Sequence, residues 1–143
     1  MKLQATIVAL LATVGAVDRI QAQIEPGNAV LFAQWTCDPA RVARADTLYQ
    51  TTVGPVLNRY ITEGKLIGWG YVSTYIGETY NRGVYVWARS PVALFQARET
   101  YLPEIMGKPG FIEFSQICGA SSTSIHTLVS QSPPPPPAPR PRD

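Results

Sequence analysis

Aromatic side chains accompanied by an arginine are the residues of this sequence best suited to chemistry. Trp69 and Tyr71 lie two residues apart, and the same spacing recurs in Tyr85, Trp87 and Arg89. Because successive side chains of a β-strand point to opposite faces, residues two apart share a face. An aromatic surface ending in a guanidinium could bind a flat phenolic compound and stabilise its anion. Aromatic residues also form ordinary packed core, and both interpretations stay open.

The sequence offers little for metal, phosphate or nucleophilic chemistry. It contains one histidine, His126, and two cysteines, Cys37 and Cys118, which lack the spacing of a metal site. It has neither a glycine-rich phosphate loop nor the Gly-x-Ser-x-Gly motif of hydrolases. Glu113 is the one carboxylate that could turn inward, and a solvent-facing position is the better interpretation. We therefore predict no metal and no cofactor.

Length and charge limit the classes of protein to which the chain could belong. Its 143 residues suit one domain rather than two. The 12 lysines and arginines nearly balance the 10 acidic residues, and the basic residues form no run. Nucleic acid is therefore not an expected partner.

Both ends of the chain differ in composition from its middle. Residues 1–22 combine a charge at Lys2, an apolar run from Ala5 to Val17 and a small residue at Ala22, the pattern of a secretory signal peptide. The run is shorter than the roughly 20 residues that span a membrane. We expect cleavage near Ala22, export to the periplasm or beyond, and no membrane span afterwards. Residues 132–143 predict an extended proline-rich tail, which leaves 23–131 as the folded domain.

Strand and helix signals alternate along the folded domain. Val30–Cys37 has strand composition and precedes Asp38-Pro39, a favourable N-cap and first helical position. The helical pattern that follows is interrupted at Gly54-Pro55, by a kink or a break, and stops at Gly64.

The second half of the domain repeats these signals. Lys65–Ser90 predicts a β-hairpin that turns at Asn81-Arg82-Gly83, and Ser90-Pro91 starts a second helix. Phe111–Cys118 has the composition of a last strand, which Gly119–Ser132 could continue. The order strand, helix, strand, strand, helix, strand predicts an α+β, ferredoxin-like fold with an antiparallel sheet.

A weak internal repeat agrees with this order. Trp35–Pro39 and Trp87–Pro91 share the pattern Trp-x-x-cap-Pro at an offset of 52, and the same offset places Tyr49 on Tyr101. The repeat puts Trp35 on the sheet face of Trp87. A hairpin that joins odd positions to odd positions would add Trp69 to that face.

These assignments predict one aromatic face turned away from both helices. Left in water, it would exceed the few hundred square ångströms that a monomer usually exposes. We therefore expect a homodimer that pairs two sheets face to face, with either a packed core or a cavity for a small aromatic ligand between them. The candidate ligand-binding residues are Trp35, Trp69, Tyr71, Tyr85, Trp87 and Arg89.

The two cysteines leave a disulfide open. An even cysteine count in an exported protein favours one. In a ferredoxin-like sheet the first and last strands are neighbours, but strands paired centre to centre would hold Cys37 and Cys118 too far apart. A last strand that runs into Gly119–Ser124 would bring them opposite each other.

Residues Val30–Cys118, about 90 of the 143, resemble the dimeric α/β barrel superfamily. That superfamily contains antibiotic-biosynthesis monooxygenases, muconolactone isomerases and haem-degrading monooxygenases. The segment from Gly54-Pro55-Val56-Leu57 to Gly68-Trp69-Gly70 particularly resembles uncharacterised exported bacterial members, in which a long helix ends in glycine and a Gly-Trp strand follows. The resemblance implies a dimeric barrel and is more specific for the fold than for the chemistry.

The resemblance also indicates which family activities suit these residues. Haem-degrading members ligate iron through a histidine of the second helix, and Pro91–Leu102 contains none. The cofactor-free monooxygenases of this superfamily use a cavity lined by Trp, Tyr, Asn and Arg. By resemblance, Trp69, Tyr71, Trp87 and Arg89 could line such a cavity here.

Three classes of function follow. The first is a dimer that binds an aromatic or apolar ligand or serves as a scaffold. The second is a cofactor-independent monooxygenase-like or isomerase-like enzyme acting on an aromatic compound. The third is a structural protein displayed by its proline-rich tail.

Overall fold

A four-stranded antiparallel sheet carries helices on one face in the part of the chain that the computed structural model describes, residues 27–75 and 79–129. The predicted signal peptide and proline-rich tail lie outside these residues. The sheet order is β2-β3-β1-β4, so the ferredoxin-like α+β prediction is confirmed. The elements are β1 Ala29–Cys37, α1 Val42–Leu48, α2 Gly54–Thr62, β2 Gly68–Ser73, β3 Arg82–Ala88, α3 Pro91–Met106, α4 Pro109–Ile117 and β4 Cys118–Thr127.

The core lies between the sheet and the helices. On the central strand β1, Ala29, Leu31 and Ala33 are buried, and they pair with Ala88, Val86 and Val84 of β3. These alternate residues share one face of the sheet. Helix α3 covers them with the stripe Leu94, Ala97, Tyr101 and Ile105, whose spacing of three and four residues matches one side of a helix.

The internal repeat predicts that Asp38 and Ser90 begin their helices in the same way, but the structure shows two different starts. Ser90 caps α3, since its Oγ accepts a hydrogen bond from the Ala93 amide at 3.2 Å, as predicted. Asp38 does not cap α1, which begins only at Val42. Its carboxylate instead accepts hydrogen bonds from the Ala40 amide and the Arg41 guanidinium and closes a turn.

Gly54-Pro55 changes the helical winding rather than ending the helix. Between α1 and α2, residues Tyr49–Val53 form a π-helical turn, hereafter the π segment, in which the Gly54 amide donates to the carbonyl of Tyr49 five residues earlier. Pro55 has no amide hydrogen to continue the usual ladder, which explains the wider turn at this point. Gly64, with a φ of 72°, follows the end of α2 as predicted.

The predicted last strand, Phe111–Cys118, is wrong: residues Pro109–Ile117 form α4, and β4 begins at Cys118. Pro109 occupies a first helical position, and Phe111, Phe114 and Ile117 recur at the spacing of a helix face. The phenylalanines and isoleucines of this segment suggested a strand. These residue types are common in strands, but they are also common at buried positions of helices. The exposed serines and threonines of β4 suit an edge strand but give no apolar alternation.

The hairpin pairs odd positions with even ones, so the predicted odd-to-odd register is wrong. Trp69 lies opposite Val86, and Gly68 lies opposite Trp87. Two glycines make this register fit, because a Cβ at Gly68 or Gly70 would overlap the ring of Trp87 or Tyr85. The predicted turn is also displaced, since Arg82 and Gly83 already belong to β3.

The register divides the predicted aromatic face between the two sides of the sheet. Trp35, Trp69 and Tyr71 lie on the helix side, where each contacts Tyr49 of the π segment. Tyr85 and Trp87 lie on the other side and stack with ring centroids 5.1 Å apart. We call that helix-free surface the open face; its larger apolar members are Val30, Phe32, Val72, Tyr85 and Trp87.

Candidate functional site

A cavity of about 480 Å³ lies between the sheet and the helices. Its floor consists of small and aliphatic side chains of β1 and β3, which leave space that larger residues would fill. Its walls come from the π segment, α2, α3 and α4, and one side is formed by β4. The described lining includes Leu31, Ala33, Trp35, Tyr49, Val53, Val84, Val86, Arg98, Tyr101, Leu102, Met106, Phe111, Ser115, Cys118, Ser121 and Thr123.

Two tyrosines provide the buried polar groups of the cavity. Tyr49 is 3% exposed and Tyr101 is 5% exposed, and both line the cavity. Burial raises the pKa of Tyr101 to about 12 and raises the pKa of Tyr49 well above its ordinary value. Both phenols are therefore protonated at neutral pH and can donate hydrogen bonds to an oxygen of a ligand.

Helix winding places these hydroxyls together. Tyr49 begins the π segment, whose wider turn presents Tyr49 and Val53 to the cavity. Tyr101 projects from the buried stripe of α3. Both side chains line the same cavity, and the charge that would form on Tyr101 contributes, after burial, to the raised pKa of Tyr49.

The opening of the cavity lies between α3, α4 and β4. Met106, Ser115, Ser121 and Thr123 line it and are exposed to solvent. Arg98 of α3 contributes a half-buried guanidinium to the same lining. The described lining holds no carboxylate and no histidine, so its fixed charge is a single positive one.

An aromatic cluster supports Tyr49 from behind. The Tyr71 ring stacks on the Tyr49 ring with a centroid distance of 4.4 Å and an interplanar angle of 13°. Trp69 packs nearby and donates its indole N–H to Asn58 Oδ1 at 2.8 Å. Such packing restricts the orientation of Tyr49 and hence of its hydroxyl.

An ion pair holds the outer end of this cluster. The Tyr71 hydroxyl donates to Asp46 Oδ1 at 3.0 Å, and Arg82 donates to both carboxylate oxygens at 2.6 and 2.9 Å. Hydrogen bonding from Arg82 lowers the pKa of Asp46 against the opposing effect of burial, and Tyr71 lowers it further. Burial and the bond to Asp46 raise the pKa of Tyr71, which therefore remains a donor.

Replacing Asp46 by asparagine should lower the free energy of unfolding at pH 7 by about 2 kcal/mol, because Arg82 loses a charged, bidentate acceptor. The pKa of Asp46 is depressed in the folded state, so its contribution is present above the unfolded value of about 3.9 and is lost as the pH falls below it. Urea unfolding at pH 7 and near pH 2 measures both effects.

Asp38→Asn is the matched control for this prediction, since Asp38 also pairs with an arginine but lies at the surface. A smaller effect is expected there because solvent screens an exposed pair. Equal losses in the two variants, or a gap between wild type and Asp46→Asn that persists at low pH, would contradict the role given to Asp46.

The structure brings one of the six candidate ligand-binding residues into the cavity lining. Trp35 lines it, whereas Trp69 and Tyr71 pack behind Tyr49. Tyr85 and Trp87 lie on the open face, and Arg89 is exposed just beyond β3. The Trp87 indole N–H is buried without a partner among the described residues, so this ring serves as an apolar cover for Gly68.

Sequence reasoning missed Tyr49, Tyr101 and Arg98 as cavity residues. A signal for the tyrosines was present, since they occupy equivalent positions of the internal repeat. Arg98 gave no signal, because a charged residue on a helix usually faces solvent. Glu113, the carboxylate considered for an interior role, lies on α4 and pairs with Arg44 at the surface.

Cys37 and Cys118 form a disulfide that joins the end of β1 to the start of β4. The two residues are direct partners across the strands, which the late start of β4 makes possible. Asn81 fixes Cys37 from the other side by accepting its amide hydrogen and donating to its carbonyl, both at 2.8 Å. Because Cys118 also lines the cavity, the disulfide secures one of its edges.

Within residues 27–75 and 79–129, none of the helices combines the length and apolarity of a membrane span. The same residues contain no group of three or more histidine, cysteine or carboxylate side chains placed to hold a metal ion.

No protein-family model and no curated protein matches the sequence. Among solved structures, a dimeric ferredoxin-like protein from an uncultured marine organism aligns with a TM-score of 0.61 at 9% identity, covering 78% of this chain and 95% of that one. A NIPSNAP-like domain protein from Burkholderia xenovorans aligns with a TM-score of 0.52 at 19% identity, covering 83% and 100%.

A third similar structure is SnoaB, a cofactor-independent oxygenase from Streptomyces nogalater. It aligns with a TM-score of 0.54 at 9% identity, covering 76% of this chain and 99% of that one. At these identities the likeness concerns the fold. The sheet order, the helix placement and these similar structures together show that the chain has a ferredoxin-like fold.

Proposed function

We propose that this protein binds a small aromatic or apolar molecule in the cavity between its sheet and helices. The observation that carries the proposal is a cavity of about 480 Å³ with mostly apolar walls and two largely buried tyrosines, Tyr49 and Tyr101, in its lining. Ligand sites typically occupy about 300–1,000 Å³ and combine apolar walls with a few polar groups.

The two tyrosines favour an occupant that accepts hydrogen bonds. Tyr49 and Tyr101 line one shared space, and their largely buried phenols are protonated donors. An aromatic molecule with a hydroxyl or carbonyl oxygen would satisfy the phenols while its ring contacts the apolar walls.

Replacing Tyr101 by phenylalanine should weaken the binding of naphthol about three- to tenfold, the value of one neutral hydrogen bond, while naphthalene binding stays unchanged. Isothermal titration calorimetry measures both affinities. Tyr60→Phe is the control, because Tyr60 is equally buried and packs against the Tyr101 ring. Failure of the unaltered protein to bind either compound would remove the proposal.

Homodimer formation through the open face is the second part of the proposal. No described helix covers that surface, which presents Phe32 beside the stacked Tyr85 and Trp87. A similar solved structure is described as dimeric. A specific interface usually buries at least about 1,000 Å² in total, and pairing two open faces would remove this apolar surface from water.

Phe32→Glu should convert the dimer into a monomer, since the pairing of two open faces would bury a carboxylate without a partner. Light scattering at micromolar concentration measures the mass. Ile112→Glu is the control, because Ile112 is 51% exposed on α4, away from the open face. A stable wild-type monomer at this concentration would refute dimer formation.

Export is the third part of the proposal. Residues 1–22 have the pattern of a signal peptide, and a disulfide is typical of oxidising compartments. Expression of the full chain in a bacterial host, followed by N-terminal sequencing of the periplasmic fraction, tests it. Uncleaved protein confined to the cytoplasm would count against export.

A cofactor-independent enzyme acting on an aromatic compound, whether oxygenase-like or isomerase-like, is the second candidate. The likeness in fold to SnoaB favours the oxygenase. The described lining offers protonated tyrosines as hydrogen-bond donors but neither a carboxylate nor a histidine as a base, so binding is better supported than acid-base catalysis. Oxygen uptake measured with a panel of phenols and hydroquinones would distinguish turnover from binding.

A further inference from the structure

We propose that the ligand is an amphipathic anion whose acidic group pairs with Arg98 while its apolar body fills the cavity. This inference rests on the proposed function and adds the chemical class of the ligand. It makes Arg98 the specificity-determining residue of the site, rather than Arg89, which lies exposed beyond β3.

The position of Arg98 on α3 directs it to the cavity. It precedes Tyr101 by three residues and Leu102 by four, so the three side chains are neighbours on the helix surface. All three line the cavity. The positive charge of Arg98 also lowers the pKa of Tyr101 slightly against the larger rise from burial, which places the guanidinium near that phenol.

Arg98 differs from most of the described arginines in lacking an acidic partner, and it differs from the equally unpaired Arg89 in being partly buried. Arg41, Arg44, Arg59 and Arg82 each form a salt bridge with an aspartate or glutamate. Arg98 forms neither a salt bridge nor a hydrogen bond with the described residues, although it is partly buried and lies in a mostly apolar wall. A cation in that position is stabilised by water or by an anion, and a carboxylate or sulfonate satisfies it best.

The rest of the lining fits the two ends of such a molecule. Near the opening, the hydroxyls of Ser121 and Thr123 supply further donors for an acidic group. Trp35, Phe111 and the aliphatic floor provide contact for an apolar body. The described lining contains no carboxylate that would repel an anion, so charge and apolar surface select the same class of ligand.

A pair of fluorescent probes separates charge from apolar contact. Anilinonaphthalene sulfonate carries an anionic group on an aromatic body, and N-phenylnaphthylamine presents a similar body without charge. Arg98→Met should weaken sulfonate binding at least about tenfold, the value of a charge-assisted hydrogen bond, and leave the neutral probe unchanged. Arg98→Lys should restore most of the loss, and Arg89→Met should match wild type.

Salt provides an independent readout. Sulfonate affinity should fall with ionic strength in wild type and lose this dependence in Arg98→Met. A purely structural role for Arg98 would lower the thermal midpoint and the binding of both probes together. Unchanged sulfonate affinity in a folded Arg98→Met variant would overturn the inference.

The substitution Thr123→Trp places an indole at the cavity opening. It distinguishes a failure of the Arg98 proposal from a failure of the proposed cavity binding. If it abolishes binding of both probes, the probes occupy the cavity and the Arg98 variants decide the ligand class. If both probes still bind with wild-type affinity, they bind elsewhere and the cavity loses its support as the site. Absence of binding to wild type would overturn both proposals.

Discussion

Replacing Phe114 by alanine should lower the free energy of unfolding by about 3–5 kcal/mol. The side chain is 1% exposed and packs edge-on against Trp35 and Tyr49, each with a centroid distance of 5.4 Å. It also stacks on Phe111. Truncation would leave a cavity at the point where α4, β1 and the π segment meet, and urea unfolding measures the loss.

Ile112→Ala is the control for this prediction and also tests the assignment of α4. In a helix, residues 112 and 114 point in different directions, and Ile112 is 51% exposed. In a strand they would share a face. The control should therefore change stability by less than about 0.5 kcal/mol. Comparable losses from the two substitutions would favour a strand over a helix in this segment.

Removing the disulfide should cost about 4 kcal/mol. The bond closes a loop with a sequence separation of 81 residues, and such a crosslink greatly restricts the unfolded chain. Urea unfolding of the protein in which both Cys37 and Cys118 are replaced by alanine, compared with oxidised wild type, measures the cost. Binding of the neutral probe should also weaken, because Cys118 lines the cavity.

Reductant supplies the control for the second prediction. It should lower the unfolding midpoint of wild type toward that of the double variant and leave the double variant itself unchanged. Detection of two free thiols by mass spectrometry in the untreated protein, or an unfolding midpoint that reductant does not alter, would contradict the structure at this site.

Local chemistry made several features of the fold predictable. Ser90-Pro91 starts α3, and Gly64 follows the end of α2, because caps and positive φ values depend on one or two residues. The order of elements was sufficient to predict the ferredoxin-like sheet, although the last strand was assigned to the wrong residues. The shift of the last strand to Cys118–Thr127 kept its place beside β1, so the topology survived the error.

Longer-range features were less predictable. A strand pattern shows which residues share a face within that strand, but the faces of two strands are related only by their register. Here the register follows from a fit between Gly68 and Gly70 and the rings of Trp87 and Tyr85. That fit separated Trp69 from Trp87 and divided the predicted aromatic face.

The sequence by itself determined the fold class and the starts and ends of several helices, because these depend on periodicity, caps and residue type. Tertiary structure alone decided which residues surround the cavity. Tyr49 reaches it through a π turn beside Pro55, Tyr101 and Arg98 reach it from α3, and Cys118 reaches it because β4 begins there. Each of these positions depends on how separate elements pack together, a relation that no local pattern in the chain specifies.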